Sequence, residues 1–436
     1  MSYKILSMDG GGSWAIIQAR VLMDIYGDIG GHELLRKFDM VIANSGGSLI
    51  LACMCNDMRL SEIITVFSHQ PNREQVFSNL TFWEKLKITN LISFLRAKTT
   101  IGPKYSTDRK LSGLIKILKQ NDHLFNDKII SAPIVETPLL ELPDIIKKSD
   151  LQILIVGFDY FRERVSFFRS NTGSNTDKFS KGKYYSITLA HAIHASSNAP
   201  INYFDSPAAV KVNLLNGNDT RKTWFWDGAV SGFNNPVLAA VIEAITNNHS
   251  DPKELCILSL GTGTGGRAII NDYENSTNPT ISAIYRTNKT NPLAQTDNTF
   301  NFLRDVKKMS TSILGDPPDS ASFIAYSILD PGLSNKANLI RINPCIKPEL
   351  DSNNYFILPQ VYKEDTNGMD KFIKLIDMDM DAVKQEEVDL ITDLCDKFII
   401  DIDKPSLPNQ FIRGDSQNGL GFGTYREAKE KWLPFI

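Results

Sequence analysis

The sequence predicts an α/β protein with a mostly parallel central sheet that is covered by helices. Short apolar runs alternate with stretches of helical periodicity between Lys4 and Leu260, and several of the runs end in a turn that contains glycine. Such strand–turn–helix repetition is typical of parallel sheets, whose strands need crossover connections. From Glu349 onward the chain is more charged and its pattern is mostly helical. We therefore expect one α/β domain over residues 1–348, with a helical C-terminal extension over residues 349–436 packed on it.

Local patterns predict the individual elements in order. The first strand, Lys4–Met8, meets the glycine cluster Gly10–Gly12, and a helix with an apolar residue at every fourth position follows. The second strand, Met40–Ile42, leads into the next helix. The stretch Asn271–Asn301 is rich in Asn and Thr, so we expect it to be loop or loosely packed. The remaining predicted strands are Leu151–Val156, Arg164–Phe168, Thr223–Trp226, Leu255–Leu260 and Asn338–Ile342.

Composition and charge limit the functions that fit this chain. It has 436 residues, of which 47 are basic and 50 acidic. This balance argues against DNA or RNA as the main partner, because phosphate backbones require a local surplus of Lys and Arg. The five cysteines show no spacing typical of zinc or redox sites and indicate buried thiols in a reducing compartment. No signal-like or membrane-spanning stretch is evident, so we expect a soluble cytoplasmic protein.

The first turn that can carry chemistry is Asp9-Gly10-Gly11-Gly12, directly after the first strand. In open α/β sheets, ligands bind at the carboxyl ends of the strands. Consecutive glycines let backbone N–H groups converge on one point, and the positive end of the following helix adds to the attraction for an anion. That anion is either a bound phosphate or the oxyanion of an acyl-transfer intermediate. A tight packing turn is the alternative.

The second turn is Ala43-Asn44-Ser45-Gly46-Gly47, at the end of the second strand. A sharp strand-to-helix turn can lift one serine above the sheet edge, the arrangement called a nucleophile elbow. Small residues flank that serine because its backbone is strained and the helix packs closely on the strand. Gly47 fits this pattern, whereas Ala43 stands where a first glycine is usual. Ser48 lies inside the helix without a break before it, so Ser45 is the predicted nucleophile.

The third turn, Trp226-Asp227-Gly228-Ala229, places a carboxylate at the end of another strand. A serine hydroxyl is a weak nucleophile unless a base takes its proton. A partly desolvated aspartate can be that base, because the loss of water raises its pKa towards a useful value. Asp227 is therefore the candidate base, and an aspartate that only orders the turn is the alternative.

In combination and order, the three turns resemble the motifs of patatin-like phospholipases. The resemblance covers about residues 3–345 and implies a patatin-like three-layer α/β/α fold. It also implies a lipid acyl hydrolase of the phospholipase A type that needs no cofactor and no metal. The weaker marks that agree are Gly102-Pro103-Lys104-Tyr105, Ala195-Ser196-Ser197-Asn198-Ala199-Pro200 with Phe204, Asn234-Asn235-Pro236 and Ser259-Leu260-Gly261-Thr262-Gly263.

The same resemblance implies a role for each residue of the three turns. Ser45 would attack a fatty acyl ester, and Asp227 would act first as general base and then as acid to the leaving group. The amides of Gly10, Gly11 and Gly12 would stabilise the oxyanion. Together these residues would form a Ser–Asp dyad that works without histidine.

Partners and setting are also implied by the resemblance. Bacterial members of the family include effectors of cyclic-nucleotide anti-phage systems, which degrade the host membrane only when activated. Membrane phospholipids at the inner membrane surface would be the substrate, with a cyclic oligonucleotide as candidate activator and a homo-oligomer as candidate state. A toxin delivered into a eukaryotic cell would share this chemistry. A catalytically weak or inactive lipid- or nucleotide-sensing protein is the alternative, because Ala43 departs from the elbow pattern and Trp14 stands where the family commonly has Arg or Lys.

Four further patterns in the sequence could indicate a function. His191 and His194 lie three residues apart without a third ligand, which predicts structural histidines. The run Gly261–Gly266 lacks Rossmann and P-loop spacing, which predicts a packing turn. Asp377–Asp381 lacks the glycine and glutamate of a calcium loop and is interpreted as a solvated helix face. Thr81–Thr100 has an apolar stripe with basic flanks, which is typical of a core helix or of a membrane-binding surface.

Overall fold

The described part of the protein is built around an eight-stranded sheet, so the predicted α/β class is confirmed. The computed structural model describes residues 2–81, 84, 103–119, 133–170, 187–213, 220–248, 250–270, 277, 279–296, 317–400, 405–412 and 419–436. Its strands are β1 (Tyr3–Met8), β2 (Met40–Ala43), β3 (Gln152–Asp159), β4 (Arg164–Arg169), β5 (Ala208–Asn213), β6 (Thr220–Asp227), β7 (Leu255–Leu260), β8 (Thr264–Gly265), β9 (Ala268–Ile270), β10 (Ala294–Thr296), β11 (Leu339–Ile342), β12 (Cys345–Ile346), β13 (Glu349–Leu350) and β14 (Phe356–Ile357).

Helices connect the strands and dominate the C-terminal part of the chain. No helix among the described residues is both long and apolar enough to cross a membrane. The α-helices are α1 (Ile16–Tyr26), α2 (Gly31–Leu35), α3 (Ser45–Cys55), α4 (Leu60–Ser68), α5 (Gln70–Val76), α6 (Thr107–Lys119), α7 (Leu142–Ile146), α8 (Leu189–Ser196), α9 (Val237–Thr246), α10 (Pro279–Asn288), α11 (Pro317–Leu329), α12 (Gln360–Lys363), α13 (Gly368–Asp377), α14 (Gln385–Phe398) and α15 (Tyr425–Trp432).

The strand register brings the ends of β2 and β6 together. In the order β11-β7-β1-β2-β3, every neighbouring pair of strands is parallel. One edge of β3 pairs with β4, and the other edge pairs first with β2 and then with antiparallel β6. On that second edge, Ala43 lies opposite Ile155 and Asp227 lies opposite Gly157. Only two positions along β3 therefore separate the last residue of β2 from the last residue of β6.

Two buried cores lie on opposite faces of the sheet, because neighbouring residues of a strand point to opposite sides. Leu6 and Met8 of β1 belong to the larger core with residues of α1 and α3, whereas Ile5 belongs to the smaller core with residues of α9 and α11. The C-terminal helices contribute Leu394 and Trp432 to the larger core. Full burial of such a side chain stabilises the fold by about 1.5–3 kcal/mol. The result is a three-layer α/β/α arrangement.

Two interpretations of the sequence are wrong. The Asn- and Thr-rich stretch Asn271–Asn301 contains α10 and β10, because Tyr285 and Leu293 provide buried anchors among polar residues. Asp377–Asp381 is not a helix face, since α13 ends at Asp377 and the following residues bind other parts of the protein. Nearly all of Thr81–Thr100 lies outside the described residues, so its predicted surface role is not tested.

Candidate active site

Ser45 is the first residue of α3, and one residue separates it from the end of β2. Its φ of 47° lies in the left-handed region, which is unfavourable for a residue with a Cβ atom. The Ser45 N–H donates to Ser196 Oγ at 3.0 Å, and Ser48 Oγ donates to the Ser45 carbonyl oxygen at 2.6 Å. These hydrogen bonds hold the serine at a strained strand-to-helix turn.

Close backbone approach explains the two glycines of this turn. A Cβ atom on Gly46 would lie 2.6 Å from the carbonyl oxygen of Gly12, and one on Gly47 would lie 2.7 Å from that of Asp9. Ala43 is different, because it is the last residue of β2 and pairs with β1 and β3 in the extended conformation. Alanine adopts this conformation without strain, so the turn does not require glycine at that position.

Asp227 ends β6 and is buried beside the serine. The Ser45 side chain is near enough to this carboxylate to lower its pKa. Asn44 Nδ2 and the Ala229 N–H both donate to Asp227 Oδ1, at 3.0 and 2.9 Å. Burial raises the pKa of Asp227, and Ser45, the hydrogen bonds from Ala229 and Asn44, and the charge of Lys110 oppose that shift. The carboxylate is thus close to the hydroxyl and has an increased proton affinity.

The end of α8 and the residues that follow it support both Ser45 and Asp227. Ser196 Oγ lies 3.4 Å from Asn44 Oδ1 and donates to it, while the Asn198 carbonyl oxygen accepts a hydrogen bond from the Asp227 N–H at 3.0 Å. The fully buried Lys110 donates to Asn198 Oδ1 at 3.4 Å. Sequence reasoning missed Lys110, although a lysine on the apolar stripe of an amphipathic helix was a usable signal.

The glycine loop, Asp9–Gly12, lies directly beside the serine. A Cβ atom on Gly10 would be 2.8 Å from Ser45 Cβ. The Gly10 N–H donates to the Asn234 carbonyl oxygen at 2.8 Å, so this amide already has an acceptor. In the part of the chain that the structure describes, no residue accepts a hydrogen bond from the N–H of Gly11 or Gly12. These two amides are therefore the ones available for a ligand.

A buried ion pair fixes the start of this loop. Arg341 of β11 donates to both carboxylate oxygens of Asp9, at 2.9 and 2.6 Å, and to Ser259 Oγ at 3.0 Å. Both charged side chains are almost fully buried. Burial raises the pKa of Asp9, and the guanidinium group opposes the shift. Sequence reasoning also missed Arg341, although a charged residue inside an otherwise apolar strand was a usable signal.

The segment Met378–Val383, which we call the C-terminal strap, lies against the glycine loop. The Met380 carbonyl oxygen accepts a hydrogen bond from the Ser13 N–H at 3.1 Å, and Trp14 Nε1 donates to the Asp379 carbonyl oxygen at 3.1 Å. Gly12 has a φ of 56°, and a Cβ atom there would lie 2.4 Å from the Met380 carbonyl oxygen. Trp14 thus anchors the loop through the strap, in the place where the family commonly has Arg or Lys.

The aspartate side chains of the strap bind Lys104, Tyr105 and Tyr203 on the other side of the site. Lys104 Nζ donates to the carboxylates of Asp379 and Asp381, at 3.2 and 2.9 Å. Tyr105 donates its hydroxyl proton to Asp381 at 2.5 Å, and Tyr203 donates to Asp379. These contacts are the reason why the aspartate run is not a solvated helix face.

Two cavities flank the glycine loop. One, of about 190 Å³, is lined by Gly11, Trp14 and Met378. The other, of about 50 Å³, is lined by Gly12 and by residues of α3, including Leu49. Both volumes lie below the range of about 300–1,000 Å³ that is usual for small-molecule sites. The larger space beside the loop is therefore the one on the side of Trp14.

The remaining sequence motifs have structural contacts. His191 Nδ1 lies 2.8 Å from Thr188 Oγ1 at the start of α8, and His194 is buried. Gly263 donates its N–H to Asn343 Oδ1 at 2.7 Å, as in a packing turn. The described residues contain no group of three or more His, Cys, Asp or Glu side chains arranged to hold a metal ion.

Comparisons with known proteins give similar solved structures and a matching family model. VipD from Legionella pneumophila is similar at 11% identity over 92% of this chain and 81% of that chain, with a TM-score of 0.31. The structure of full-length SpcU in complex with full-length ExoU, from the type III secretion system of Pseudomonas aeruginosa, is similar at 10% identity over 76% of this chain and 53% of the matched chain, with a TM-score of 0.26. No curated protein matches significantly. The family model for patatin-like phospholipase matches residues 6–241, more than half of the chain, and includes Ser45 and Asp227. The chain belongs to the patatin-like phospholipase family.

Proposed function

We propose that this protein is a serine lipid acyl hydrolase of the phospholipase A type, with Ser45 as nucleophile and Asp227 as general base. The observation that carries the proposal is the strained Ser45 at a strand-to-helix turn, beside the glycine loop and next to Asn44, which binds the buried Asp227 carboxylate. Membership of the family supports lipid ester hydrolysis as the class of reaction. Ala43 and Trp14 are accommodated by the local structure, which supports a hydrolase over an inactive lipid- or nucleotide-sensing protein.

In the first step, Ser45 Oγ attacks the carbonyl carbon of a fatty acyl ester while Asp227 takes the hydroxyl proton. The raised pKa of the buried carboxylate favours this transfer. The carbonyl electrons move to oxygen, and the N–H groups of Gly11 and Gly12 would stabilise that charge, each by about 3–4 kcal/mol if well aimed. Gly10 is removed from the predicted donors because its N–H binds Asn234. Because Gly10 has no Cβ atom, it lets the loop approach Ser45.

In the second step, the oxyanion collapses and the bond to the leaving alcohol breaks. Asp227 gives its proton to that alcohol, so a lysophospholipid leaves and the acyl group stays on Ser45. Asp227 then takes a proton from a water molecule that attacks the acyl-enzyme. Collapse of the second oxyanion releases the fatty acid, and the proton returns to Ser45 Oγ.

Setting and control are proposed from the resemblance rather than from contacts. The substrate would be membrane phospholipid, reached from the cytoplasm at the inner membrane surface. A cyclic oligonucleotide would activate the enzyme in anti-phage defence, and residues 349–436 would form a helical C-terminal extension packed on the domain of residues 1–348. The activator hypothesis is tested by adding cyclic oligonucleotides to the assay below.

The decisive experiment measures fatty-acid release from mixed phospholipid vesicles, with and without cyclic oligonucleotides. We expect release by the wild type and its loss to background in Ser45→Ala and Asp227→Asn. Ser112→Ala, an exposed serine on α6, is the matched control and should behave as the wild type. Thermal unfolding verifies that each variant is folded. Release that survives in Ser45→Ala would refute the nucleophile, and a folded wild type that is silent on all esters would favour a binding protein.

A further inference from the structure

The turn between β3 and β4, residues 160–163, carries a cluster of exposed aromatic side chains, and we call it the aromatic turn. Phe161 is 65% exposed, the largest fraction of any large hydrophobic residue in the described part of the chain. Its ring packs edge to face with Tyr160 and with Trp224 of β6, at centroid distances of 5.3 and 5.2 Å. Such a cluster marks an interaction surface, because its rings still have apolar area to bury against a partner.

Hydrogen bonds fix the conformation of the aromatic turn. The buried Asp159 ends β3, and its Oδ1 accepts hydrogen bonds from the N–H groups of Phe161 and Arg162, both at 3.1 Å. The Tyr160 N–H donates to the Trp224 carbonyl oxygen at 2.9 Å. The rings are therefore presented in a fixed arrangement, and little conformational entropy is lost when they bind a partner.

The aromatic turn lies at the edge of the sheet that holds the candidate site. Because β2 and β3 are parallel, their carboxyl ends lie at the same edge, and Ala43 lies opposite Ile155. Tyr160 comes five residues after Ile155, so the turn lies about 17 Å beyond the end of β2, at roughly 3.3 Å per residue. Ser45 follows that end of β2. A flat surface that meets the aromatic turn therefore also faces the edge of the sheet where Ser45 lies.

Basic side chains surround the aromatic cluster. Lys222 lies on the same face of β6 as Trp224, because alternate residues of a strand share a face, and Lys211 is its partner in the register with β5. Glu163 is an exposed acidic residue of the turn. The exposed basic side chains are Arg162 on the turn, Arg164 on β4, Lys222 on β6 and Lys211 on β5. Each basic residue close to an anionic membrane strengthens binding about fivefold, so this arrangement favours an anionic surface as the partner.

We propose that Tyr160, Phe161 and Trp224, with the basic side chains around them, dock the protein on an anionic phospholipid surface. The inference rests on the proposed function for the choice of a lipid substrate, and it adds the surface through which the enzyme reaches the membrane. Aromatic side chains are enriched at the level of the headgroups, where apolar and polar layers meet. Protruding rings with basic side chains behind them match these two layers, and the docked protein would hold the Ser45 edge of its sheet towards the lipid.

Binding to vesicles is the first test, and it is measured with Ser45→Ala so that the lipids stay intact. We expect this variant to sediment with vesicles of phosphatidylcholine and phosphatidylglycerol, and Phe161→Ser in the same background to weaken the binding at least tenfold. The matched control is Leu350→Ser, which removes another exposed apolar side chain, on β13, and should bind as the parent does. Unchanged binding by folded Phe161→Ser would overturn the proposal and assign the aromatic turn to a protein partner.

Charge reversal tests the electrostatic part of the docking. Arg162→Glu combined with Arg164→Glu should weaken binding to the same vesicles at least tenfold. The loss should shrink as the ionic strength rises, because salt screens exposed charges. Lys253→Glu is the matched control, since Lys253 is exposed and precedes β7 at the opposite edge of the sheet. A loss of the same size per charge in Lys253→Glu would overturn the assignment of the docking surface to this turn.

A comparison of two substrates separates docking from catalysis. In the otherwise wild-type protein, Phe161→Ser should lower fatty-acid release from dilute vesicles at least tenfold and leave kcat/KM for soluble p-nitrophenyl butyrate unchanged. Equal losses on both substrates would overturn the proposal, because the turn would then support the active site itself. If no ester is cleaved but vesicle binding depends on Phe161, the hydrolase fails and the docking surface stands. If esters are cleaved and vesicle binding ignores Phe161→Ser, the docking surface fails and the hydrolase stands.

Discussion

The two sides of the candidate site are held by different parts of the chain. Around the nucleophile, the contacts of Ser45 and Asp227 come from Asn44, Ser196 and Asn198. All of these residues lie within the part that matches the family model. The glycine loop also depends on Arg341 and on the strap, which lie more than 300 residues away in sequence and outside the match.

This difference shows that the proposed reacting groups and the loop beside them are held by separate parts of the chain. Asp227 needs only the register of β2, β3 and β6 to reach the serine. The loop that would bind the oxyanion needs an ion pair to β11 and two hydrogen bonds to the strap. We therefore expect the nucleophile side to respond to mutation mainly in kcat, and the loop side to respond also in stability.

The largest effect is expected from Arg341→Met. It leaves the carboxylate of Asp9 buried without a cation, which should lower the free energy of unfolding by about 3–5 kcal/mol at pH 7. Urea unfolding measures the loss, and Arg426→Met, which removes an exposed ion pair, is the matched control. Asp9→Asn in the Arg341→Met background should restore part of the stability.

The pH dependence of the stability of Arg341→Met gives a second test of the ion pair with Asp9. Without its cation, Asp9 has a folded-state pKa well above the unfolded one, because burial then acts unopposed. The protonated form is the one that the fold tolerates, so the stability of Arg341→Met should fall as the pH rises through the folded-state pKa. A deficit that is the same at pH 5 and pH 7 would contradict this account.

On the nucleophile side, Asn44→Ala should lower kcat about 10- to 100-fold with little change in KM. It removes a hydrogen bond to the ionised Asp227, an interaction worth roughly 1.5–3 kcal/mol. The same bond lowers the pKa of Asp227, so the acidic limb of the pH profile should also move to higher pH. Steady-state kinetics on a soluble ester give both values. An increase in KM alone would show that Asn44 serves binding instead.

The pH dependence of the wild type gives a smaller effect. Asp227 must be ionised to act as base, and burial raises its pKa above the ordinary value of about 3.9. The value of kcat/KM should therefore fall on acidification with a midpoint above pH 4, while intrinsic tryptophan fluorescence shows that the fold persists. A midpoint at or below pH 4 would be inconsistent with a desolvated base.

The smallest effects concern the strap. Asp381 is 7% exposed and binds Lys104 and Tyr105, whereas Asp379 is 52% exposed. Asp381→Asn should cost about 1–2 kcal/mol in the free energy of unfolding, and Asp379→Asn roughly 0.5 kcal/mol or less, because solvent screens exposed pairs. Urea unfolding of the two variants measures both losses. Equal losses would mean that burial does not control the strength of these contacts.

Local patterns predicted the elements whose causes are local. The strand Lys4–Met8, the glycine loop and the turn at Ser45 each depend on residues within a few positions, so the sequence revealed them. The position of Asp227 beside the serine could be expected only from the combined motifs, because the register of β3 with β2 and β6 is a property of the whole sheet.

The contacts that were missed are long-range. Arg341 and Lys110 are single charges in otherwise apolar elements, and their partners Asp9 and Asn198 are visible only in the fold. The strap was misinterpreted because its aspartates were read for calcium binding and helix exposure, while their partners stand about 275 residues earlier. Polar contacts between residues that are far apart in the chain leave no periodic pattern in the sequence.

The long sequence separation between the glycine loop and its supports also sets an order of events during synthesis. Asp9 is made 332 residues before Arg341, and Trp14 is made 365 residues before Asp379. At roughly 5–20 residues per second, the ribosome needs about 15–65 s to add the first of these partners. During that interval the growing chain lacks the ion pair that fixes the glycine loop beside Ser45. The glycine loop therefore gains its full support only after translation has passed the strap.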